Sequence, residues 1–521
     1  MLEEPVPARK DLFSRRRRQR AARDEDRLSA LPDDLLLLHI LGRLDTRSAL
    51  GAAALSRRWA HLARELPALD LKVTDALPPR YRRCVDLLYR ARRSNGLYSY
   101  DSRRRLEIIS GLYERRAMRA MVSSVRSLMS SRAHRRVRKL SLEIFDFSTS
   151  ATINRLVAKA VDSWWVEDLE VVARSTGPIA HPPPVYRFPR GRISRKPGES
   201  RLRSLELVNC LPPPLEGFTA LTTLVLRDLP WSTPAAVYQG VVAACPQLRV
   251  LHLVSCEFDR DKSKTPWVVL DAPMSEIREL VVDGELMSVK LRSLPKLESL
   301  IAVNGSVLLC SDAAPCLAHV SLAMSICPLD YVILDYLINM FMLLLKDAIS
   351  MSSLILRFTG PEMWIERSKS PFPRMPNLKK LLVGDVPSSW DVSWPHILIQ
   401  AAPLLESLHI HVSQCEEEEE EQGQPASYAR PLASQRHRHL KELVIIGFQR
   451  TSMQLIHLVR FAVDASTALC RVALLKHGHV EHKGPWDWEM VSQQSTWSHE
   501  EKIAVLDGIQ CSTPQIEVVL G

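Results

Sequence analysis

Several features of exported, membrane-spanning and metal-binding proteins are missing from this 521-residue chain. Residues 1–10 are polar and include two prolines, so they lack the apolar centre of a secretory signal and we expect no export. The longest apolar stretch, 331–345, is interrupted by Asp335 and Asn339 and is shorter than the roughly 20 residues that span a bilayer. We expect this stretch to form a buried helix, and we expect no membrane partner.

Cysteine is sparse, with 10 residues in the chain, and no two cysteines form a C-x-x-C pair. This spacing is not that of a usual zinc site, and it is typical of reduced thiols in the cytosol or nucleus. No phosphate-binding loop, dinucleotide fingerprint or nucleophile elbow is present either. The sequence therefore predicts a non-enzyme with no catalytic residue, cofactor or metal, located in the cytoplasm, the nucleus or both.

Hydrophobic residues make up 46% of the chain and charged residues 25%, which are the values of an ordinary folded protein. The chain is too long for one compact core unless that core is extended by repetition. Its formal net charge is +10, with arginine-rich patches at 15–18, 103–105 and 132–138. Such a charge permits contact with acidic proteins or nucleic acid but does not by itself favour nucleic acid as a partner.

The most specific segment, 26–62, reads DRLSALPDDLLLLHILGRLDTRSALGAAALSRRWAHL. Pro32 suits the first turn of a helix, and the two aspartates after it complement the positive end of the helix dipole. Leu36, Ile40 and Leu44 then recur along one predicted helix face, and further apolar residues follow at helical spacing. The pattern predicts two or three short helices that expose enough apolar surface to require a partner.

This segment closely resembles the F-box of plant proteins, whose signature is Leu-Pro-Asp-Asp, an apolar helix and then Leu-Ser-Lys/Arg-Arg-Trp; here the two ends are 31–34 and 55–59. The resemblance implies docking to a Skp-family adaptor, which links the protein to a cullin and through it to a ubiquitin-conjugating enzyme. By motif match, the predicted adaptor contacts are Leu31, Pro32, Leu35, Ile40, Leu41, Leu44, Leu50, Leu55, Ser56 and Trp59. An alternative for Leu50, Leu55 and Trp59 is that they form the small core of the segment itself.

The spacing from Leu31 to Leu44 is one residue longer than the usual spacing of the family, and His39 is the extra residue. Four consecutive leucines at 35–38 allow the helix to present an apolar face in either register. The insertion is therefore absorbed either by a shifted helix start or by a local bulge. Each solution changes which leucine would meet the adaptor.

From residue 137 onward one pattern recurs: an aliphatic residue, two variable residues, another aliphatic, one variable residue and a third aliphatic. Most of the roughly eleven copies lie about 19 to 36 residues apart, which brackets the period of leucine-rich repeats. In such a repeat the aliphatic residues of a short strand point into a shared core. The copies begin at Val137, Val166, Leu202, Leu221, Leu248, Ile277, Leu317, Leu378, Leu405, Leu440 and Leu469.

The variable residues of these strands are predicted to face outward, because successive side chains of a strand alternate between its two faces. We therefore expect a row of polar side chains on neighbouring strands to bind the protein substrate. These candidate residues are Arg203, Glu206, Thr223, Arg249 and His252.

The phrases at 245–256 and 402–410 resemble the helix-to-strand junctions of plant F-box leucine-rich-repeat proteins, and 440–448 resembles their C-terminal FBD region. The predicted fold class is α/β, with a short helical F-box followed by a leucine-rich-repeat solenoid. The predicted domains are a disordered basic tail at 1–25, the F-box at 26–66, a helical linker at 67–136, leucine-rich repeats with loop insertions at 137–430, and C-terminal repeats with an FBD-like cap at 431–521. The insertions are 174–201 and 414–430, and the second contains the glutamate run 416–421.

Near the end of the chain, His477, His479 and His482 lie in a Gly-containing stretch without a ligand frame, so we interpret them as exposed loop residues and not as a metal site. Ser498 and Glu501 have the spacing of a capping box, which would start a helix. Gly508 would end that helix, and 515–520 would form a closing strand.

These observations together predict the substrate-recognition subunit of an SCF-type ubiquitin ligase, which directs protein degradation by holding the adaptor with its F-box and the protein to be ubiquitinated with its repeats. The alternative is a leucine-rich-repeat binding or nucleic-acid-associated protein that acts outside a ligase, because the insertion at His39 prevents docking. The sequence identifies neither the substrate nor a small molecule or modification that recognition requires.

Overall fold

A computed structural model describes two compact units of the chain. One unit comprises Met1–Gly177, Ile193–Lys196 and Ser200–Leu202, and the other comprises Pro178–Arg192, Pro197–Glu199 and Arg203–Gly521. The structure describes residues 31–63, 65–93, 100–130, 137–145, 150–174, 185–188, 193–260, 266–284, 287–325, 331–359, 372–387, 393–413, 437–448, 453–482, 488–493, 495–509 and 516–521. Three predicted segments lie wholly or partly outside these ranges. They are the basic tail 1–25, the insertion 414–430, and residues 175–184 and 189–192 of the insertion 174–201.

The first unit begins with short helices. These are α1 (Asp33–Leu35), which continues into a π-helical turn (Leu36–Ile40) and a 3₁₀ turn (Leu41–Arg43), then α2 (Thr46–Gly51), a 3₁₀ turn (Ala52–Ala54) and α3 (Arg57–Leu62). The side chain of Asp45 accepts a hydrogen bond from the Ser48 N–H at 2.9 Å, and Ser56 Oγ accepts one from the Trp59 N–H at 3.3 Å. Both side chains satisfy N–H groups that have no partner within the first turn of a helix, so they fix where α2 and α3 begin.

The rest of the first unit combines two longer helices with three strands. They are β1 (Ala68–Lys72), a 3₁₀ turn (Val73–Ala76), α4 (Pro79–Arg93), α5 (Tyr100–Ser130), β2 (Lys139–Phe145), α6 (Ser150–Ser163) and β3 (Asp168–Arg174). β1 pairs with β2 and β2 with β3, both in parallel, so that Leu69, Leu140 and Leu169 stand side by side. The segment 67–136 is therefore not wholly helical as predicted, because β1 buries Leu69 and pairs in parallel like a repeat strand.

In the second unit, short strands alternate with returning segments. The elements are a 3₁₀ turn (Pro197–Glu199), β4 (Ser204–Val208), β5 (Thr223–Arg227), α7 (Ala235–Ala244), β6 (Val250–Val254), β7 (Val268–Asp271), β8 (Glu279–Asp283), β9 (Ser288–Ser293), β10 (Ser299–Val303), β11 (Ser306–Leu309), β12 (His319–Ser325), α8 (Tyr331–Asp347), β13 (Ser353–Thr359), β14 (Lys380–Pro387), α9 (Ser393–Ala401), β15 (Ser407–Ser413), β16 (Glu442–Ile446), α10 (Met453–Ala465), β17 (Arg471–Leu475), β18 (His477–His482), β19 (Trp488–Gln493), α11 (His499–Ile509) and β20 (Glu517–Leu520).

The main strands of the second unit form one parallel ladder in the order β4-β5-β6-β8-β10-β12-β13-β14-β15-β16-β17-β20. The register stays in step, so that Leu205, Leu224, Leu251 and Leu280 occupy equivalent positions on neighbouring strands. All four are buried, because each repeat covers its apolar side with the next repeat. This arrangement confirms the predicted α/β fold class of a short helical segment followed by parallel-strand repeats.

Two features of the returning segments are local. β7, β9 and β11 form a separate parallel sheet in the order β11-β9-β7. These strands lie in the segments that connect β6, β8, β10 and β12, where other repeats have a helix. The residue directly after several ladder strands has a positive φ, as at Asn209 (52°), Asp228 (54°) and Asn304 (54°). Asn and Asp tolerate this left-handed conformation better than most residues, so they turn the chain out of the strand.

After β16 the equivalent position is Gly447, with φ of 79°. A Cβ atom added there would lie 2.1 Å from the carbonyl oxygen of Val412, so only glycine fits.

The C-terminal elements largely follow the sequence. Ser498 N–H donates to Glu501 Oε2 at 2.8 Å and Glu501 N–H donates to Ser498 Oγ at 3.1 Å, which confirms the predicted capping box. β20 pairs in parallel with β17 and closes the ladder as predicted. The prediction that Gly508 ends the helix is wrong, because α11 continues to Ile509.

The histidines at 477–482 do not lie in a loop as predicted. They belong to β18, which forms an antiparallel hairpin with β19, and both His477 and His479 are exposed. In the described ranges, no group of three His, Cys, Asp or Glu side chains is arranged to hold a metal ion. Among the helices that the structure describes, none is long and apolar enough to cross a membrane.

Candidate docking surfaces

The short helices at the start of the first unit have a small core. Leu36 and Leu41 have no exposed area, and Ala49, Leu62 and Ala63 are almost fully buried beside them. Leu36 and Leu41 lie five residues apart and both point inward because the chain between them forms a π-helical turn, which has one more residue than an α-helical turn. The turn contains His39, so it confirms that the inserted residue is absorbed by a local bulge.

The π-helical turn changes the predicted helix face. An α-helix would place Leu36, Ile40 and Leu44 together, but Ile40 is half-buried and Leu44 is 44% exposed. The prediction of a single face at four-residue spacing is therefore wrong. Leu41 must also be removed from the predicted adaptor contacts, because its fully buried side chain supports the core and presents no surface to a partner.

The other predicted adaptor contacts remain at the surface or near it. Leu35 is 42% exposed and Leu55 is 71% exposed, and Pro32 and Leu44 are exposed as well. Leu31, Leu50 and Trp59 are half-buried. Ser56 is exposed, but its hydroxyl caps α3. Several large apolar side chains exposed to water on one short segment indicate a surface that a partner covers.

Arg58, which the motif match did not include, joins the two ends of the signature. Its Nε donates to Asp33 Oδ1 at 2.6 Å, and its Nη2 donates to the carbonyl oxygen of Leu31. An exposed ion pair contributes little stability by itself. The added bond to the main chain nevertheless fixes Leu31 and Pro32 against the start of α3. The arginine pair before Trp59 was the sequence signal that pointed to this residue.

The second predicted surface lies on the first ladder strands of the second unit. Arg203 and Arg249 are exposed at the strand starts, and Glu206, Thr223 and His252 are half-buried on the outward face. Glu206, Val225 and His252 share one row across β4, β5 and β6, as the alternation predicts. Val225 faces outward but is not exposed as expected, because the longer side chains of that row cover it.

The outward face already contains an ion pair and a contact between a histidine and a carboxylate. Arg227 Nε lies 2.7 Å from Glu206 Oε1, and His252 Nε2 lies 2.7 Å from Glu279 Oε1. The hydrogen bond from His252 lowers the pKa of the Glu279 carboxyl, although burial opposes this shift. In contrast, no salt bridge of Arg203 or Arg249 occurs within the part of the chain that the structure describes. These two guanidinium groups are therefore available to an acidic partner.

Models of known domain families match the chain in two places. An F-box domain matches residues 28–69, and the leucine-rich-repeat domain described as "At1g61320/AtMIF1, LRR domain" matches residues 337–496. The chain combines an F-box with a leucine-rich-repeat domain. No curated protein matches the chain as a relative. F-box domains generally bind Skp-family adaptors and F-box proteins are generally non-catalytic, so the two domains support a substrate-recognition role in a ubiquitin ligase.

A groove of about 1020 Å³ lies beside the F-box in the first unit, between α2, the region of β1 and the last turns of α5. Its walls combine apolar residues such as Leu50 with serines of α5 and with charged residues. Asp70 Oδ2 pairs with Lys72 Nζ at 2.5 Å, whereas Asp70 Oδ1 is buried without a hydrogen-bond partner among the described residues.

Later repeats carry outward polar clusters that the sequence reasoning did not single out. Glu442 accepts from His409 Nε2 at 3.0 Å and from Arg471 Nη1 at 2.9 Å, across β15, β16 and β17. Burial is the largest influence on the Glu442 carboxyl and raises its pKa, but the hydrogen bonds and charges of His409, Ser407 and Arg471 together outweigh burial and the pKa is lowered. The charged residues at alternating strand positions were the available signal. Because the groups satisfy each other, this cluster stiffens the outward face.

Proposed function

We propose that this chain is the substrate-recognition subunit of an SCF-type ubiquitin ligase, with the F-box docking a Skp-family adaptor and the repeats binding the protein to be ubiquitinated. The observation that supports docking is the exposed apolar set Pro32, Leu35, Leu44 and Leu55 on a small, capped helical core. Covering these side chains removes apolar area from water, which favours association.

The repeats supply the substrate surface in this proposal. Arg203 and Arg249 stand at the starts of β4 and β6, and the outward row between Glu206 and His252 lies next to them. A guanidinium group binds carboxylate or phosphate oxygens with two parallel hydrogen bonds. The substrate segment that fits this surface is acidic or phosphorylated, and the buried leucines behind the surface hold the strands in register.

The mechanism is proximity. Holding the substrate and the ubiquitin-charged enzyme in one complex turns the reaction of two separate molecules into a reaction within one assembly. The effective concentration of the substrate lysine rises, and no side chain of this chain forms or breaks a bond. A non-catalytic subunit thereby selects which protein is modified.

A second candidate is a leucine-rich-repeat binding or nucleic-acid-associated protein that acts outside a ligase. The observation in its favour is the π-helical turn, which moves Leu41 inward and leaves a different apolar face from the one that the motif implies. Adaptor binding separates the two candidates, because only the first requires it.

The test is co-purification of the full-length chain with a Skp-family adaptor, using the double substitution Leu31→Ala and Pro32→Ala. We expect capture to be lost while the thermal unfolding of the chain is unchanged, because Pro32 is exposed and Leu31 is only half-buried. The matched control is Arg203→Ala with Arg249→Ala, which changes two surface residues of the other unit and should leave capture intact. Failure of the unsubstituted chain to capture the adaptor would favour the second candidate.

A further inference from the structure

α4 and α5 form an antiparallel helical hairpin in the first unit. Tyr81 near the start of α4 donates its hydroxyl to Glu114 Oε1 in the middle of α5 at 2.8 Å, and Arg103 near the start of α5 donates to the carbonyl oxygen of Ala91 at 3.1 Å. Leu88 of α4 is buried, and further along α5 the buried Met118 accepts a hydrogen bond on its sulfur from the Phe145 N–H of β2 at 3.3 Å. Other side chains of both helices are exposed.

The hairpin concentrates the positive charge of the chain. The segment 79–130 contains thirteen arginines, no lysine and four acidic residues, so it accounts for nearly all of the formal net charge of +10. One of the four acidic residues, Glu114, is buried against Tyr81 and does not offset charge at the surface. A surface with this excess of one sign repels itself unless an anionic partner neutralises it.

One exposed line of residues on α5 combines this charge with apolar side chains. Arg105, Ile109, Leu112, Arg116 and Arg119 follow each other at steps of three or four residues and all are exposed. Steps of three and four place side chains on one helix face. We refer to these five residues as the α5 stripe. Within the ranges that the structure describes, no salt bridge involves Arg105, Arg116 or Arg119.

The stripe has an apolar centre between charged ends. Ile109 and Leu112 are each 43% exposed, and the neighbouring Ile108 is 53% exposed. Arg105 and Arg116 lie on either side of this centre, about 16 Å apart along the helix axis. Exposed aliphatic residues between arginines have the arrangement of a protein interface, in which an apolar centre is bounded by polar groups.

The composition of the stripe distinguishes between classes of anionic partner. Nucleic acid offers phosphates and flat bases, which stack on aromatic side chains, but the α5 stripe contains no aromatic residue. A membrane-surface helix inserts a wide apolar face, and two aliphatic residues between arginines do not form one. A protein segment with aliphatic residues between two groups of carboxylates matches both the charge and the apolar centre.

We propose that the α5 stripe is a docking site for an acidic amphipathic helix of a partner protein. In the bound state, carboxylates of the partner pair with Arg105 and Arg116, and its aliphatic side chains cover Ile109 and Leu112. The site is separate from the exposed F-box leucines and from the outward row of the repeats. It does not depend on the proposed ligase function.

The test measures fluorescence anisotropy of a labelled synthetic helical peptide, titrated with the full-length chain. The peptide has two central leucines three residues apart and glutamate clusters about 16 Å apart. The comparison ligands are the same peptide with Gln in place of Glu, the same peptide with Ser in place of Leu, a single-stranded RNA oligonucleotide, and vesicles that contain phosphatidylserine. We expect the acidic leucine peptide to bind more tightly than the other ligands, and to bind less tightly as salt screens its charges.

Two substitution pairs separate the charged and apolar contributions. Arg105→Gln with Arg116→Gln should weaken peptide binding roughly 2- to 30-fold, the range for two exposed ion pairs. Ile109→Ser with Leu112→Ser should weaken it roughly 10- to 80-fold, because about two fifths of each side chain becomes buried on binding. Both pairs should retain the melting temperature and the adaptor capture of the unsubstituted chain.

The matched control is Arg374→Gln with Arg438→Gln, which removes the same charge from two exposed arginines of the other unit, neither of which belongs to the proposed substrate surface. Equal weakening by this pair would show a general charge effect and overturn the proposed site. Tighter binding of the RNA or of the vesicles, or equal binding of the Gln peptide, would overturn the assignment to an acidic protein. Loss of adaptor capture alone would affect the proposed ligase function and leave the docking site standing.

Discussion

Leu55 is the most informative residue of the exposed F-box face. Its side chain is 71% exposed, so it contributes little to the F-box core in the free chain. Full burial of a leucine side chain stabilises an association by about 1.5–3 kcal/mol, and covering the exposed part of Leu55 would therefore contribute about 1–2 kcal/mol. We predict that Leu55→Ala raises the Kd for a Skp-family adaptor roughly 5- to 30-fold.

Leu41 provides the matched comparison, because it is a leucine of the same segment with no exposed area. Leu41→Ala leaves a cavity in the core and should lower the free energy of unfolding by about 2–5 kcal/mol. Leu55→Ala should leave the unfolding free energy nearly unchanged, because the Leu55 side chain is mostly exposed. The hydrogen bond from the Leu55 N–H to the Ala52 carbonyl oxygen involves only main-chain atoms and is kept. Calorimetric titration with purified adaptor and hydrogen exchange over 33–62 measure the two quantities separately.

The reasoning fails if Leu55→Ala binds the adaptor within about twofold of the unsubstituted chain while Leu41→Ala remains folded and loses binding. That result would mean that the exposed leucines are not covered on docking. It would also mean that the F-box opens to bring Leu41 to the adaptor, contrary to its buried position.

Three further predictions concern other parts of the chain. Arg203→Glu with Arg249→Glu should weaken substrate capture without lowering the melting temperature, whereas Leu205→Ala, at a fully buried site, should cost about 2–5 kcal/mol of stability in denaturant unfolding. The hydrogen bond from Lys476 lowers the pKa of Glu501 from 4.5 to about 2, so its contribution to stability is present above pH 4.5 and is lost as the pH falls towards 2. Unfolding midpoints of the unsubstituted chain and of Glu501→Gln should therefore converge over this pH range. Changing Arg15, Arg16, Arg17 and Arg18 to Gln should reduce nuclear accumulation of a fluorescent fusion, and an unaltered distribution would show that the tail is not a targeting signal.

The repeats could be predicted because the leucines that recur in the sequence are the residues that each repeat buries in the shared core. Two ladder strands of the second unit that the sequence analysis missed have a weaker version of the pattern, whereas β1 of the first unit carries the full pattern at Leu66, Leu69 and Leu71. β10 has Ala302 where the third aliphatic residue is expected, and the copy at β13 begins with Met351. Both residues are buried and fill the same position as leucine. For β10 and β13 the residue type hid the pattern, whereas β1 was missed because the pattern was expected only from residue 137 onward.

The candidate docking surface could be predicted only in part. The motif identified the correct segment, but helical periodicity assumes 3.6 residues per turn, and the π-helical turn at 36–40 breaks that assumption. As a result, Leu36, Ile40 and Leu44 do not share one face, and Leu41, which the motif match assigned to the adaptor, lies in the core. Arg58 was missed for a different reason, because its partners Asp33 and Leu31 lie 25 and 27 residues away and only folding brings them together.

A chain that acts only by joining two proteins makes a kinetic prediction that a catalytic chain does not. The amount of ternary complex depends on the product of two association constants, one for the adaptor and one for the substrate. Leu55→Ala and Arg249→Glu change different surfaces in different units, so their effects on the transfer rate at low concentration should multiply. When adaptor and captured substrate are raised to saturation, each variant should regain the unsubstituted rate, because neither residue takes part in bond making. A rate that stays low at saturation, measured in single-turnover ubiquitin transfer, would contradict the proximity mechanism and would place one of these residues close to the reacting groups.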